Sequence, residues 1–313
     1  MPIQMQGKIG SKNNTTFVSK QIERTLANGS RTGDMARTVL NSLKDLTDIK
    51  NLSTLSEDDI KVYVRNLQDR VAEGKLTTKT TATYISALNN VINYTNTYVG
   101  KNHIDLKEIK AKDYGLSAGP RGDVLPSATA EIHSQIKSYF IDKNEQKNDI
   151  KMETMPSIID VARDFGLRIT EAILCPYLTP KQIDKVIETG QLPIFRGTKN
   201  GKPRNVKLSD VKTTRASQIN TLKSACKYMS KHKLSNLCPT KSLSTMRNFV
   251  YKAKGGFEKA SGLKYNFHDE RRTYAQQGFA EYKAKLTVDQ ATMNVSSNLG
   301  HHRKDVINDY IPK

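Results

Sequence analysis

Between residues 34 and 112 apolar side chains recur at three- and four-residue intervals. Met35, Val39 and Leu43 form one stripe, and Ile60, Tyr63, Val64, Leu67 and Val71 form a second. A third comprises Tyr84, Leu88, Val91 and Ile92 and runs on past the polar Thr95 to Val99. This period predicts amphipathic helices, each with one face turned to a shared core. Ser56 and Asp59 have the spacing of a capping box at the start of the second stripe. Residues 31–112 are therefore predicted to form a small helical bundle. Residues 1–30 are polar and basic and are set apart as an N-terminal extension, either disordered or a helix that contacts DNA or another subunit.

The pattern breaks at DYGLSAGPRGDVLPS, residues 113–127, which is rich in Gly, Pro and Ser and reads as a linker. Beyond it, residues 128–313 are expected to form a second domain. Helical segments are predicted near 128–141, 155–165, 215–233, 242–254, 270–285 and 287–298, with a break at Gly166. The stretch LPIFRGTKNGKPRNVKL has two extended runs flanking Asn200-Gly201, the signature of a tight hairpin turn. The predicted fold class is mainly α: an N-terminal helical domain followed by a mixed α/β domain with a small antiparallel sheet.

Charge changes the picture most. The chain of 313 residues carries a formal net charge of +19. Between Arg196 and Lys259 there are 16 basic residues and only two acidic ones, Asp210 and Glu258. A solvated surface usually mixes both signs, so this bias points to a polyanionic partner. No apolar run is long enough for a membrane span, and the start MPIQMQGKIGSKNNTT lacks the apolar core of a secretory signal. No amphipathic helix pairs a lysine face with a bulky apolar one, which disfavours a membrane surface. Cys175, Cys226 and Cys238 have neither CxxC spacing nor an even count, so no disulfide framework or zinc site is encoded. A soluble cytoplasmic protein is expected.

Four stretches of the second domain each offer groups suited to a phosphate: GLRITE (166–171), GTKNGK (197–202), HDERRTYA (268–275) and LGHHRKDVINDY (299–310). Singly each is weak. In this order they resemble the tyrosine recombinase (phage integrase) family: an Arg in a Gly-Leu-Arg turn, a hairpin Lys, His-x-x-Arg, Leu-Gly-His, and a Tyr nine residues after that His. The matching residues are Arg168, Lys199, His268 with Arg271, and His301 with Tyr310. The resemblance covers residues 160–313 by motif and extends loosely to the bundle, which looks like the family's core-binding (SAM-like) domain.

The resemblance implies a recombinase that cuts and rejoins DNA through a covalent 3′-phosphotyrosine. Each residue type suits that chemistry. Arg168 and Arg271 offer planar forks of donors to the charge gathering on the phosphate oxygens. His301 adds a hydrogen bond there, with His302 its competitor, and Tyr310 is the nucleophile. A phenol has a pKa of about 10, and the neutral imidazole of His268 could take its proton. Lys199, or alternatively Lys202, protonates the leaving 5′ oxygen. The energy of the cut bond is kept in the phosphotyrosine, so no ATP is implied, and the arginines supply the charge stabilisation a metal would give, so no metal or other cofactor is implied either. Lys202, Arg204, Lys207 and Arg272 are candidate DNA contacts. The implied partners are double-stranded DNA with specific sites and further copies of this chain, as a tetramer on DNA, in the service of a phage or other mobile element. A partner recombinase or directionality factor is left open.

Departures from the family pattern are visible. Glu270 stands where relatives often have leucine, and Arg272 where a second His is common. Only three residues follow Tyr310, where many relatives have a longer tail, and the bundle begins too early to leave room for a separate arm-binding domain. Two other readings compete: a DNA-binding architectural protein without chemistry, and a type IB topoisomerase-like strand transferase.

Overall fold

Local signals set the helices of the first part of the chain. Ser56 accepts a hydrogen bond from the Asp59 backbone N–H while the Asp59 carboxylate accepts from the Ser56 N–H, so the expected capping box opens helix α3 (Glu57–Ala72). Thr77 caps α4 (Thr78–Tyr94) from one side only, accepting from the Thr80 N–H. The computed structural model describes residues 6–25, 30–99, 105–117, 127–198, 201–301 and 310–311. It divides into two compact units, 1–122 and 123–313.

In the first unit, α1 (Lys12–Thr25) and α2 (Ser30–Thr47) join α3 and α4 around one core. Leu40, Leu43, Leu67, Leu88 and Val91 are almost fully buried there. The polar N-terminal stretch is not a detached arm in this part: Val18 and Ile22 of α1 are 0% exposed and lie in the same core. Phe17, Val18 and Ile22 supply its apolar contacts with that core, a pattern the surrounding Lys, Asn and Thr residues obscure. The third stripe does run on to Val99, as a turn of π-helix with Thr95 and Val99 buried. Asn89 and Asn96 then hold the returning chain. Each uses its side-chain amide as a short strand would, Asn89 exchanging two hydrogen bonds with the Ile109 backbone and Asn96 two with Leu106. Packing continues to Leu116, which is 2% exposed, so the segment expected as linker begins later than residue 113.

The second unit is built from α5 (Ala130–Lys147), α6 (Ile150–Phe165), α7 (Ile169–Ile173), α8 (Pro180–Thr189), β1 (Gln191–Ile194), β2 (Arg204–Lys207), α9 (Lys212–Lys231), α10 (Leu243–Ser261), α11 (Phe267–Lys283) and α12 (Val288–Asn298). Helix α6 starts earlier than the expected residue 155, because Asp149 caps it at Lys151 N–H. Pro156 inside it removes one backbone hydrogen bond, which the burial of Met155, Ile158, Ile159 and Ala162 outweighs. Helix α8, unforeseen in the sequence, has Thr179 and Gln182 as a reciprocal capping box with Pro180 in its first turn. The strands pair antiparallel with Gln191 opposite Lys207 and Ile194 opposite Arg204. Residues 195–203 join them, a longer connection than the two-residue turn expected at Asn200-Gly201. Lys199 and Asn200 lie outside the described residues. Among the described residues no helix is long and apolar enough to cross a membrane.

Candidate active site

The site begins where α6 ends. Gly166 caps that helix with φ +59°, and an added Cβ would lie 2.4 Å from the Tyr274 ring. Only glycine meets both demands. The turn leaves Arg168 at the N-cap of α7, from which its side chain emerges 22% exposed.

Glu171, three residues on, is the hub. Its buried carboxylate accepts the Arg168 backbone N–H at 2.8 Å and the Arg168 Nη1 at 3.0 Å. It also pairs with Arg204 Nη1, and Arg271 Nη1 is 3.9 Å away. Burial by itself raises a carboxyl pKa, but the Arg204 bond and charge, then the Arg168 N–H and Arg271, hold Glu171 below its ordinary value. The sequence reading missed Glu171 as a site residue, although its spacing from Arg168 is that of an acidic residue at the third position of a helix.

Arg271, on α11, is 0% exposed. It donates to Gly166 O and, at 2.6 Å, to Leu299 O. Its Nη2 lies 3.3 Å from His301 Nε2, and its Nε donates to Tyr310 Oη at 3.5 Å. Burial lowers its pKa to about 10, with Tyr310 opposing the shift, so it stays cationic at neutral pH. His301 Nε2 is 3.4 Å from Tyr310 Oη. This nitrogen therefore lies within reach of both the Arg271 guanidinium and the phenol. Tyr310 itself is 4% exposed, packed with Ala275, Val295, Leu299 and Ile311, and its carbonyl accepts from Gln276 at 3.0 Å.

His268 also neighbours the phenol, with ring centroids 5.3 Å apart. Burial, then the positive charges of Arg271, Arg272 and Arg168, push its pKa down to about 4. Its imidazole is therefore neutral across the physiological range.

Arg168, His268, Arg271, His301 and Tyr310 thus share one region, while Lys199 and His302 fall outside the described residues. The four candidate DNA contacts separate. Lys202 and Lys207 are exposed, the latter 3.1 Å from Asp210. Arg204 and Arg272 are buried at 9% and 7%, and Arg272 pairs with Asp269. Alternation along β2 puts Arg204 on the same inward face as Val206.

Glu270, the unusual residue of HDERR, anchors α11 from beneath. It is 0% exposed and accepts from Arg163 at 2.8 Å and from Tyr265 at 3.3 Å. His133 Nδ1 is 3.1 Å from it, and the other nitrogen of that ring is 3.1 Å from Asp160. Burial lowers the His133 pKa, but the bonds to Asp160 and Glu270 win and raise it.

A family model described as integrase matches residues 122–277. The chain matches no curated protein sequence. Among solved structures it is similar to a lambda integrase dimer bound to a COC′ core site, at 15% identity and a TM-score of 0.59, over 96% of this chain and 76% of that one. It is similar to XerH site-specific recombinase bound to difH substrate, at 16% identity and a TM-score of 0.56, over 96% and 80%. A lambda integrase tetramer bound to a Holliday junction matches at 15% identity and a TM-score of 0.54, over 91% and 76%. The integrase match, the helical architecture with its two-stranded sheet and the shared fold agree: this chain belongs to the integrase family of tyrosine site-specific recombinases.

Proposed function

We propose that this chain cleaves and rejoins DNA at specific sites through a covalent 3′-phosphotyrosine, for integration or excision of a mobile element. The observation that carries the reading is the Tyr310 hydroxyl lying against both Arg271 and His301 in a region that also presents Arg168. Tyr310 Oη attacks phosphorus, the bond to the 5′ oxygen breaks, and that oxygen leaves with a proton from Lys199 or Lys202. The phenolic proton passes to the neutral imidazole of His268. Arg168, Arg271 and His301 stabilise the charge that builds on the non-bridging oxygens, the contribution that dominates phosphoryl transfer. Rejoining runs the same steps backwards with a different 5′ hydroxyl as nucleophile, so no ATP is required, and the arginines supply the charge stabilisation that a metal would otherwise give.

The DNA-bound dimer and tetramer among the similar structures support self-association of this chain on DNA. The excess of lysine over residues 196–259 supports phosphate contacts that set affinity, with binding that weakens steeply in salt. A binder without chemistry has no use for a tyrosine held between a buried arginine and a histidine, and a topoisomerase-like enzyme would relax supercoils without joining two sites.

The test is a nicked suicide substrate carrying the recombination site, incubated with chelator and without ATP and resolved on a denaturing gel. Wild type is expected to give a shifted covalent band and Tyr310→Phe none, with both binding the DNA. Binding by both proteins with no adduct from either, with or without divalent metal, would refute the strand-transfer reading in favour of the architectural one.

A further inference from the structure

We propose that Arg204 is a positioning residue, a buried strut that fixes the β-hairpin to the turn before His301 and holds the carboxylate that aligns Arg168. Resting on the recombinase reading above, this gives Arg204 a different task from the DNA contact its charge and location suggested.

One guanidinium spans three segments. Nη1 pairs with Glu171, whose carboxylate also grips Arg168 through its backbone and its side chain. Nε donates to Asn298 O at 2.9 Å, the last residue of α12. The aliphatic stem passes Gly300 so closely that a Cβ there would lie 2.7 Å from Arg204 Cδ. Gly300 has φ +71°, so the glycine before His301 is required both by its backbone and by the arginine beside it.

The neighbouring carbonyl goes to the other arginine. Asn298 O is held by Arg204 and Leu299 O by Arg271, so two guanidinium groups satisfy successive carbonyls at the end of α12 and fix the path into His301. A second tie reinforces the first, from Lys207 N–H to Asn298 Oδ1 at 3.3 Å. The Arg204 side chain is 5% exposed. Its Nε and Nη1 are committed to Asn298 and Glu171 and the side chain is withdrawn from solvent.

The test uses the full chain with Arg204→Lys, which keeps the charge but reaches at most one of the two partners, and Arg204→Met. Hydrogen exchange is read at the amides of Leu299, Gly300 and His301, which bond back to Val295, Ser297 and Ser296. In both variants these amides are expected to exchange about 10- to 100-fold faster, the equivalent of one lost charge-assisted hydrogen bond, with α5 and α9 unchanged. Exchange identical to wild type would overturn the strut.

On the suicide substrate, adduct formation by Arg204→Lys at saturating DNA is expected to slow on the order of 100-fold through misplaced phosphate ligands. DNA affinity and its salt dependence should stay as in wild type. If instead the saturated rate is unchanged while affinity falls and the salt slope drops by about one, Arg204 is a phosphate contact and the proposal fails. If wild type forms an adduct and Arg204→Lys matches it, the inference fails and the recombinase reading stands. If wild type forms none, that reading fails and the exchange result alone decides the strut.

Discussion

Glu171→Gln probes the centre of the site with the smallest change of shape. The wild-type carboxylate is 0% exposed and takes bonds from Arg168 and Arg204, with Arg271 at 3.9 Å. Glutamine keeps one acceptor oxygen for the Arg168 N–H but turns an amide NH2 toward arginine donors. It also leaves the buried Arg204 and Arg271 without their counter-charge. Removing one partner of a buried ion pair costs about 3–5 kcal/mol. For a unit of this size that corresponds to a fall of roughly 6–20 °C in melting temperature. The assay is thermal unfolding of the full chain followed by circular dichroism across pH. Glu171 has a folded pKa below its ordinary value. Its contribution is therefore complete above the unfolded carboxylate pKa of about 4.3 and disappears as pH falls through the lower folded value. The gap between wild type and variant should be widest above about pH 5 and shrink on acidification. A variant that melts within about 2 °C of wild type at neutral pH, against that expectation, would show that the arginines do not depend on this carboxylate, and the site would have to be rebuilt around solvent-screened charges.

Three further outcomes are expected. His268 has its folded pKa pushed down to about 4, so wild type should lose stability as pH falls from the unfolded value of about 6.5 towards 4, and His268→Asn should lose less over the same range, as read by denaturant titration. Gly300→Ala places a methyl group 2.7 Å from Arg204 Cδ at φ +71°; it should destabilise by about 1–3 kcal/mol and slow adduct formation, and a wild-type melting curve would contradict the close approach. Glu270→Leu strands Arg163 and His133 beneath α11 and should cost about 3–5 kcal/mol by chemical denaturation, whereas a neutral result would mean that the buried network is dispensable.

Much of this protein could be read from its sequence because the relevant physics is local. Stripes such as Ile60, Val64 and Leu67 have one helical solution for burial, and the Ser56–Asp59 box needs only four consecutive residues. The order of GLRITE, HDERR and LGH and the late Tyr310 carried the resemblance to the tyrosine recombinase family, because a motif order is legible without any tertiary contact. The docking of α1 was hidden, since its apolar anchors Phe17, Val18 and Ile22 sit among polar residues and acquire meaning only when a core is present to receive them.

What only tertiary structure decided is the work of the charged residues. Along the chain Arg204, Lys207 and Arg272 look alike, as basic residues in a basic region. Folding brings Glu171, Asn298 and Gly300 around Arg204 from segments far away in sequence, and leaves Lys207 in solvent. Burial turns one cation into internal framework and leaves another exposed, because an ion withdrawn from water must find its counter-charge inside the protein. Sequence by itself determined most of the helices, whose requirements are met by neighbours a few residues apart, and supplied the motifs that carry the candidate site residues. Which arginines face inward depends on long-range pairing, and no local pattern encodes the distance between Glu171 and Arg204.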